Sequence, residues 1–199
     1  PVFPGVNVVG DWCDAFTLHA GRIGLSIGDV QGHNIEAAAF MGQVRVGLRA
    51  LASVTGEPGE LLSRTNDLLL SLNTDLFATC CYAELDMEEG NTLFVRAGHL
   101  APLLRLPDGS TEEIEVEGGL PLGILEDAEF PMTAVALSPG TVLALVTDGL
   151  VEAVGLPVDE GMDLTRGALA AADPADLGGM ADELLGDVGR REDDVALLL

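Results

Sequence analysis

The chain has 199 residues, of which 48% are apolar. This length and composition suit one packed globular domain and exclude an intrinsically disordered chain. Nine basic residues, all of them arginine, face 33 acidic residues, which gives a net charge of −24. Such a surface repels nucleic acid and anionic lipid, and no segment has the roughly 18 uninterrupted apolar residues of a membrane span, so neither partner is expected.

The three cysteines, Cys13, Cys80 and Cys81, form no disulfide framework. Neighbouring residues of a strand point to opposite faces, so Cys80 and Cys81 are not expected to pair with each other. We expect reduced, partly buried cysteines in a cytoplasmic protein. Because the chain starts at Pro1 without a Met or a signal segment, we expect one domain over residues 1–199, excised from a longer regulatory protein.

The first predicted element is an antiparallel hairpin. An apolar run from Asp11 to Leu18 turns at Ala20-Gly21 and returns through residues 22–27. Two apolar runs joined by a glycine turn are typical of a hairpin. This pairing is expected to bring Asp11 and Asp14 beside Asp29.

A glycine-rich heptad, residues 28–34, follows the hairpin and leads into helical segments. Asn34 is the expected N-cap of a helix that runs until Gly56, with Glu36 favourable to its dipole. Pro58 opens a second helix. Since the two helices are consecutive and closely connected, they are expected to pack antiparallel on one face.

After these helices, apolar and polar residues alternate with a period of two, and further helical segments follow. Strands are expected over 77–85, 92–96, 102–106, 112–116, 130–137 and 141–146, a loop over 118–123, helices over 159–172 and 174–188, and a last strand within 191–199. Separate runs of strands and helices predict an α+β fold with helices covering stacked sheets.

Acidic residues recur where apolar strands end. These positions are Asp11 with Asp14, Asp29, Asp148, and Asp193 with Asp194. Converging carboxylates are costly without a cation, and hard oxygen ligands without a Cys/His cluster select Mg²⁺, Mn²⁺ or Ca²⁺. Aspartates that cap strand ends, beside an ordinary glycine-rich connection, remain the alternative interpretation.

Six motifs stand in a family's order along the chain. They are Val9-Gly10-Asp11-Trp12-Cys13-Asp14, Gly28-Asp29-Val30-Gln31-Gly32-His33, Ala97-Gly98-His99, Gly119-Leu120-Pro121-Leu122-Gly123, Thr147-Asp148-Gly149-Leu150-Val151-Glu152 and Glu192-Asp193-Asp194-Val195-Ala196. Together they resemble the SpoIIE-type branch of the metal-dependent protein phosphatases, the PPM or protein phosphatase 2C-like family. The resemblance covers nearly the whole chain from Val8 to Leu199.

The resemblance implies an αββα sandwich of two antiparallel sheets between helical layers, and a phosphoserine/phosphothreonine phosphatase with two Mn²⁺ or Mg²⁺ ions. By motif, Asp29 is expected to bridge both metals and the Val30 carbonyl to serve one of them. Asp148 and Asp193 are expected to complete the shell of the other metal. Asp11 is expected to support the second metal and, with Asp29, to serve catalysis through a metal-activated water.

Other residues near these motifs have further expected roles. Asp14 is a further helper by resemblance, and His33 is a candidate general acid for the leaving oxygen, or else a cap of its turn. His99 is expected to stabilise a turn, and His19 to be exposed on the hairpin. Trp12 is expected in the core.

The chain also departs from the family pattern. Val9 replaces a glycine, Cys13 an aromatic residue and Asn34 a glycine. These departures motivate a second hypothesis, a pseudophosphatase that acts as a binding module. A divalent-cation buffer is a third.

The resemblance also suggests partners. The expected substrate is a phosphorylated anti-anti-sigma (STAS-domain) protein. An upstream sensory domain or a regulatory partner is expected to act through the two helices after Asn34, because a shift there would alter the site around Asp29. A second copy of the chain, in a homodimer, is a further partner considered.

Overall fold

The computed structural model describes residues 10–32, 34–152, 157–186 and 194–199. The strands are β1 Trp12–Thr17, β2 Arg22–Val30, β3 Ala78–Asp86, β4 Asn91–Ala97, β5 Leu103–Arg105, β6 Thr111–Glu113, β7 Gly118–Gly119, β8 Met132–Ala136, β9 Val142–Val146 and β10 Leu197–Leu198. The helices are α1 Ile35–Ala52, α2 Pro58–Leu70, α3 Asp148–Val151, α4 Val158–Ala171 and α5 Leu177–Gly186.

The strands form two sheets. The first has the order β1-β2-β3-β4-β7, with β8 also paired to β4, and the second has the order β10-β9-β5-β6. The predicted hairpin is confirmed, since β1 and β2 are antiparallel with Trp12 opposite Gly28. In the next pair Asp29 of β2 lies opposite Thr79 of β3.

Buried side chains divide the molecule into four layers. One cluster joins α1 and α2 to the first sheet and includes Val44, Leu62 and Tyr82. A second lies between the sheets, with Ile27 and Cys81 against Leu145. A third joins the second sheet to α4 and α5. The fold is therefore the expected αββα sandwich.

Local sequence explains how α1 and α2 begin and meet. The Asn34 side chain accepts a hydrogen bond from the Ala37 N–H at 2.8 Å, which confirms it as the N-cap of α1. Pro58 begins α2, where its missing N–H costs nothing. The helices approach closely at Gly47, where a Cβ atom would lie 2.8 Å from Leu68 Cδ2.

Three elements differ from the sequence prediction. Gly118–Gly119, expected in a loop, pairs in parallel with the end of β4. The short helix α3 was not predicted. The C-terminal helix begins at Leu177 rather than Pro174, because the Asp176 carboxylate accepts the Gly179 N–H at 2.9 Å and so caps the helix there.

The cysteines are free, and Cys80 and Cys81 are fully buried because β3 is covered on both faces. Cys13 is exposed, so the expectation that it is partly buried is wrong. His19 is exposed and Trp12 is buried, as expected. None of the helices in the described part of the chain combines the length and hydrophobicity needed to span a membrane.

Candidate functional site

Asp29 stands next to the last residue of β2, at one end of the first sheet. The following residue, Val30, is fully buried, and its N–H donates to the Gly10 carbonyl at 3.3 Å. A Cβ atom at Gly10 would lie 2.8 Å from the Val30 carbonyl oxygen and 3.0 Å from Asp29 Oδ1. Gly10 therefore keeps space open in front of these two oxygens.

Asp11 is held at the same end of the molecule by a residue of the second sheet. The Thr147 hydroxyl donates to Asp11 Oδ2 at 2.6 Å, and the aspartate is only 7% exposed. The Thr147 oxygen in turn accepts the Ala196 N–H at 2.8 Å. Because Thr147 follows β9 and precedes Asp148, this contact joins the starting end of β1 to the finishing end of β9.

Asp148 is the first residue of α3, and its Oδ1 accepts the Gly149 N–H at 2.9 Å. Gly149 lies against the C-terminal segment, since a Cβ atom there would be 1.8 Å from the Asp194 carbonyl oxygen. Asp194 Oδ2 accepts the Gly10 N–H at 3.2 Å. These contacts link the C-terminal segment to the segments that carry Asp11 and Asp148.

The structure therefore brings together Asp11, Asp29, Val30 and Asp148 at one end of the sandwich. Asp14 does not join them: it lies opposite Ser26 and forms an ion pair with Arg49 of α1 at 3.6 Å. The suggestion that Asp14 assists the site is not supported, because successive residues of β1 point to opposite faces and Asp14 faces α1. His33 and Asp193 lie outside the described residues.

The residues present fit divalent cations in their donor chemistry. Carboxylate and carbonyl oxygens suit Mg²⁺ or Mn²⁺, and Gly10 provides a cradle that a side chain would fill. Within the described ranges, no three His, Cys, Asp or Glu side chains form a ready metal-binding group. Asp193, the fourth expected aspartate, falls outside those ranges.

His99 has a different role from the turn-stabilising one expected. It is 5% exposed and lies between the sheets, where Nδ1 is 2.8 Å from Thr79 Oγ1 and Nε2 is 3.1 Å from the Val146 carbonyl oxygen. Burial lowers the pKa of His99 from 6.5 to about 4; the hydrogen bond to Val146 opposes this shift and the charge of Arg96 adds to it. The imidazole is therefore neutral at pH 7.

A cavity of about 480 Å³ adjoins Asp148. Thr79 of β3, His99 just after β4 and Asp148 of α3 line one part of it. Met162 and Arg166 line it from α4. Its position gives room for a substrate next to the Asp148 carboxylate.

Sequence reasoning missed Thr79 and Thr147. Both are buried or half-buried threonines at strand ends beside predicted aspartates. A hydroxyl that directly precedes Asp148 was the available signal for Thr147, whereas Thr79 becomes identifiable only once the strand register places it opposite Asp29.

Comparisons with known proteins place the chain in a family. A family model described as Stage II sporulation protein E (SpoIIE) matches residues 19–199. The phosphoserine phosphatase RsbU of Bacillus subtilis is 26% identical over 151 residues, which cover 75% of this chain and 44% of that protein. Protein IcfG of Synechocystis is 27% identical over 179 residues, covering 75% of this chain and 28% of that protein.

Solved structures share the fold. The RsbU and RsbW domains of Rv1364c from Mycobacterium tuberculosis superpose with a TM-score of 0.85 at 34% identity, covering 98% of this chain and 55% of that chain. The PP2C phosphatase domain of SpoIIE from Bacillus subtilis, solved with a fragment of its regulatory domain, gives a TM-score of 0.84 at 19% identity, covering 97% and 58%. The chain thus spans less than half the length of the two curated relatives described above.

Proposed function

Because this chain belongs to the SpoIIE family, we propose that it is a metal-dependent protein serine/threonine phosphatase. The reaction is hydrolysis of a phosphoserine or phosphothreonine ester on a signalling protein, with water as the nucleophile. The observation that carries the proposal is the placement of Asp29 in β2, Asp11 just before β1 and Asp148 at the start of α3, all at one end of the sandwich.

The metal ligands in this proposal are oxygen atoms of the same group. Asp29 and the Val30 carbonyl would hold one Mn²⁺ or Mg²⁺ ion, with Asp29 shared by a second. Asp148 and Asp193 would complete the coordination of the second ion, and Asp11 would support that ion. Bound divalent cations supply Lewis-acid activation of water and offset charge on the phosphoryl oxygens.

The chain's own residues prepare this site. The Thr147 hydroxyl orients the Asp11 carboxylate by a short hydrogen bond of 2.6 Å, and Gly10 leaves the Asp29 and Val30 oxygens accessible. In the proposal His33 donates a proton to the leaving Ser or Thr oxygen. No side chain serves as the nucleophile.

The direct test is hydrolysis of an aryl phosphate in the presence of Mn²⁺. Wild-type protein is expected to turn over, and Asp29→Asn and Asp148→Asn to lose at least about 100-fold in rate, since each removes a charged ligand. Asp127→Asn is the matched control, because Asp127 is exposed with φ of 56°, a conformation asparagine tolerates. Equal background rates in all four proteins would overturn the proposal and favour the pseudophosphatase.

The proposed substrate is a phosphorylated anti-anti-sigma protein of the STAS type. Support comes from relatives named as the phosphoserine phosphatases RsbU and RsbP, and from the similarity to the RsbU domain solved with RsbW. Incubation with a phosphorylated STAS-domain protein is expected to release inorganic phosphate in a Mn²⁺-dependent manner. Release from an unrelated phosphoprotein at the same rate would contradict this assignment.

Regulation is proposed to act in the cytoplasm through α1 and α2. The Val30 and Asn34 positions connect the site directly to the start of α1, so movement of that helix would alter the site. An upstream sensory domain, a regulatory partner or a homodimer contact would supply the movement. Addition of the natural upstream segment is expected to change the turnover rate of this domain, which steady-state kinetics on both forms would measure.

A further inference from the structure

The backbone around His99 is fixed from several sides. Gly98 adopts φ of +65° after β4, and its N–H donates to the Gly119 carbonyl at 2.9 Å. The Arg96 guanidinium donates to the His99 carbonyl at 2.8 Å and to the Val116 carbonyl at 2.9 Å. These hydrogen bonds hold the turn from which the imidazole extends.

The two partners of the imidazole determine its tautomer. A carbonyl oxygen can only accept, so Nε2–H must donate to the Val146 oxygen at 3.1 Å. Nδ1 is then the acceptor, and the Thr79 hydroxyl donates to it at 2.8 Å. Each ring nitrogen thus has one partner, and the low pKa keeps the ring in this neutral form.

These two partners belong to the two strand ends that carry the predicted metal ligands. Thr79 lies directly opposite Asp29 in the first sheet. Val146 is the last residue of β9 and stands two residues before Asp148 in the second sheet. Thr79, His99 and Asp148 also line the same cavity. The Thr79–His99–Val146 chain therefore spans the sandwich at the level of the aspartates.

We infer that His99 is a positioning residue, which fixes the separation between the Asp29 and Asp148 strand ends and so the affinity of the site for divalent cations. This inference rests on the proposed function. It assigns His99 no contact with substrate and no proton transfer. The hydrogen-bond chain acts by holding two carboxylates, contributed by different sheets, at the spacing that binding requires.

The test measures Mn²⁺ binding by calorimetry, beside the thermal midpoint of each protein. Thr79→Val removes the hydroxyl donor with little change of shape, and Thr79→Ser keeps it. His99→Gln keeps an amide donor for the Val146 carbonyl but places no acceptor at the Nδ1 position, where the Thr79 hydroxyl donates. Thr92→Val is the matched control, since Thr92 is 1% exposed in β4 and its hydroxyl has no hydrogen-bond partner among the described residues.

We expect Thr79→Val and His99→Gln to weaken Mn²⁺ binding by about tenfold or more, within the range found for outer-shell partners of metal ligands. Thr79→Ser and Thr92→Val are expected to bind like wild type. In the double variant, Thr79→Val should cause no further loss of Mn²⁺ affinity beyond that of His99→Gln, because both changes remove the same hydrogen bond. A role in packing alone would lower the thermal midpoint without this pattern of affinities.

Two results would overturn the inference while leaving the proposed function intact. One is wild-type Mn²⁺ affinity in both Thr79→Val and His99→Gln, with normal binding and turnover in the unmutated protein. The other is a double variant whose fold-loss in Mn²⁺ affinity equals the product of the fold-losses in the two single variants. If the unmutated protein neither binds Mn²⁺ nor hydrolyses an aryl phosphate, the proposed function itself fails.

Discussion

At the scale of single residues, Gly10 decides how the oxygens of Asp29 and Val30 can be used. Its Cα lies so close to them that an added Cβ would fall inside the normal contact distance of both. The carboxylates supply charge, but this glycine supplies access. The neighbouring Val9, not Gly10, departs from the family pattern, and the physical role of Gly10 follows from its contacts.

Gly10→Ala is therefore expected to lower Mn²⁺ affinity and aryl phosphate hydrolysis by at least about tenfold, because the methyl group displaces the Asp29 and Val30 oxygens. The control is Gly42→Ala in α1, where a Cβ atom would meet nothing within 4 Å. That variant is expected to raise the unfolding free energy by about 0.5–1 kcal/mol and leave activity unchanged. Full activity in Gly10→Ala would contradict the role assigned to this glycine.

His99 is expected to make stability depend on pH. Its pKa is about 4 in the folded protein against 6.5 when unperturbed, so the unfolded chain binds more protons between these values and stability falls as pH falls through 6.5 towards 4. Between pH 7.5 and 5 this amounts to about 2 kcal/mol. Urea unfolding at both pH values should show a smaller loss in His99→Gln than in wild type; equal losses would contradict this prediction.

At the scale of elements, much of the site could be predicted because apolar strands ended by aspartate and glycine are visible in the sequence. The hairpin, the N-cap at Asn34 and the positions of Asp29 and Asp148 follow from such local signals. The role of His99 could not be predicted, because its partners Thr79 and Val146 are 20 and 47 residues away. Likewise, the pairing of Gly118–Gly119 with β4 depends on tertiary contact rather than on propensity.

A buried asparagine ties α2 to the loop that follows β7. Asn66 is 1% exposed; its amide donates to the Leu125 carbonyl at 2.9 Å, and its carbonyl accepts the Gly123 N–H at 2.8 Å. The same loop forms two hydrogen bonds between Leu122 and Ala78 at the start of β3. Through this loop, α2 is connected to the strand that carries Thr79.

Asn66→Ala is expected to lower the unfolding free energy by about 2–3 kcal/mol, because it leaves two backbone groups of the loop without their partner. Urea denaturation would measure this loss. Asn91→Ala serves as control. Asn91 is exposed, and among the described residues its side chain bonds only to Glu89, so a change of less than about 0.5 kcal/mol is expected. Similar losses of unfolding free energy in both variants would show that the Asn66 hydrogen bonds do not stabilise the loop.

At the scale of the whole molecule, the net charge of −24 favours cations over anions everywhere near the surface. Such a field concentrates Mn²⁺ or Mg²⁺ around the carboxylates and opposes the approach of nucleic acid. It also repels an anionic phosphoprotein. Binding of a phosphorylated substrate therefore depends on local compensation at the site, which bound cations would provide.

The chain corresponds to a part of its curated relatives, spanning 44% of RsbU and 28% of IcfG. The fold places α1 and α2 on the outer face of the first sheet, with exposed apolar side chains such as Val46 and Val54 on or just after α1. The αββα core thus carries the aspartates at one end and the helices α1 and α2 on the outer face of the first sheet.

The central claim is that the aspartates at one end of the sandwich form a metal-dependent phosphatase site. Removal of divalent cations with EDTA, followed by stepwise addition of Mn²⁺ or Mg²⁺, tests it most directly through aryl phosphate hydrolysis. We predict that turnover disappears with EDTA, returns with the added ion in wild type, and does not return in Asp148→Asn. Turnover that persists after complete removal of metal, or that returns equally in Asp148→Asn, would contradict the account.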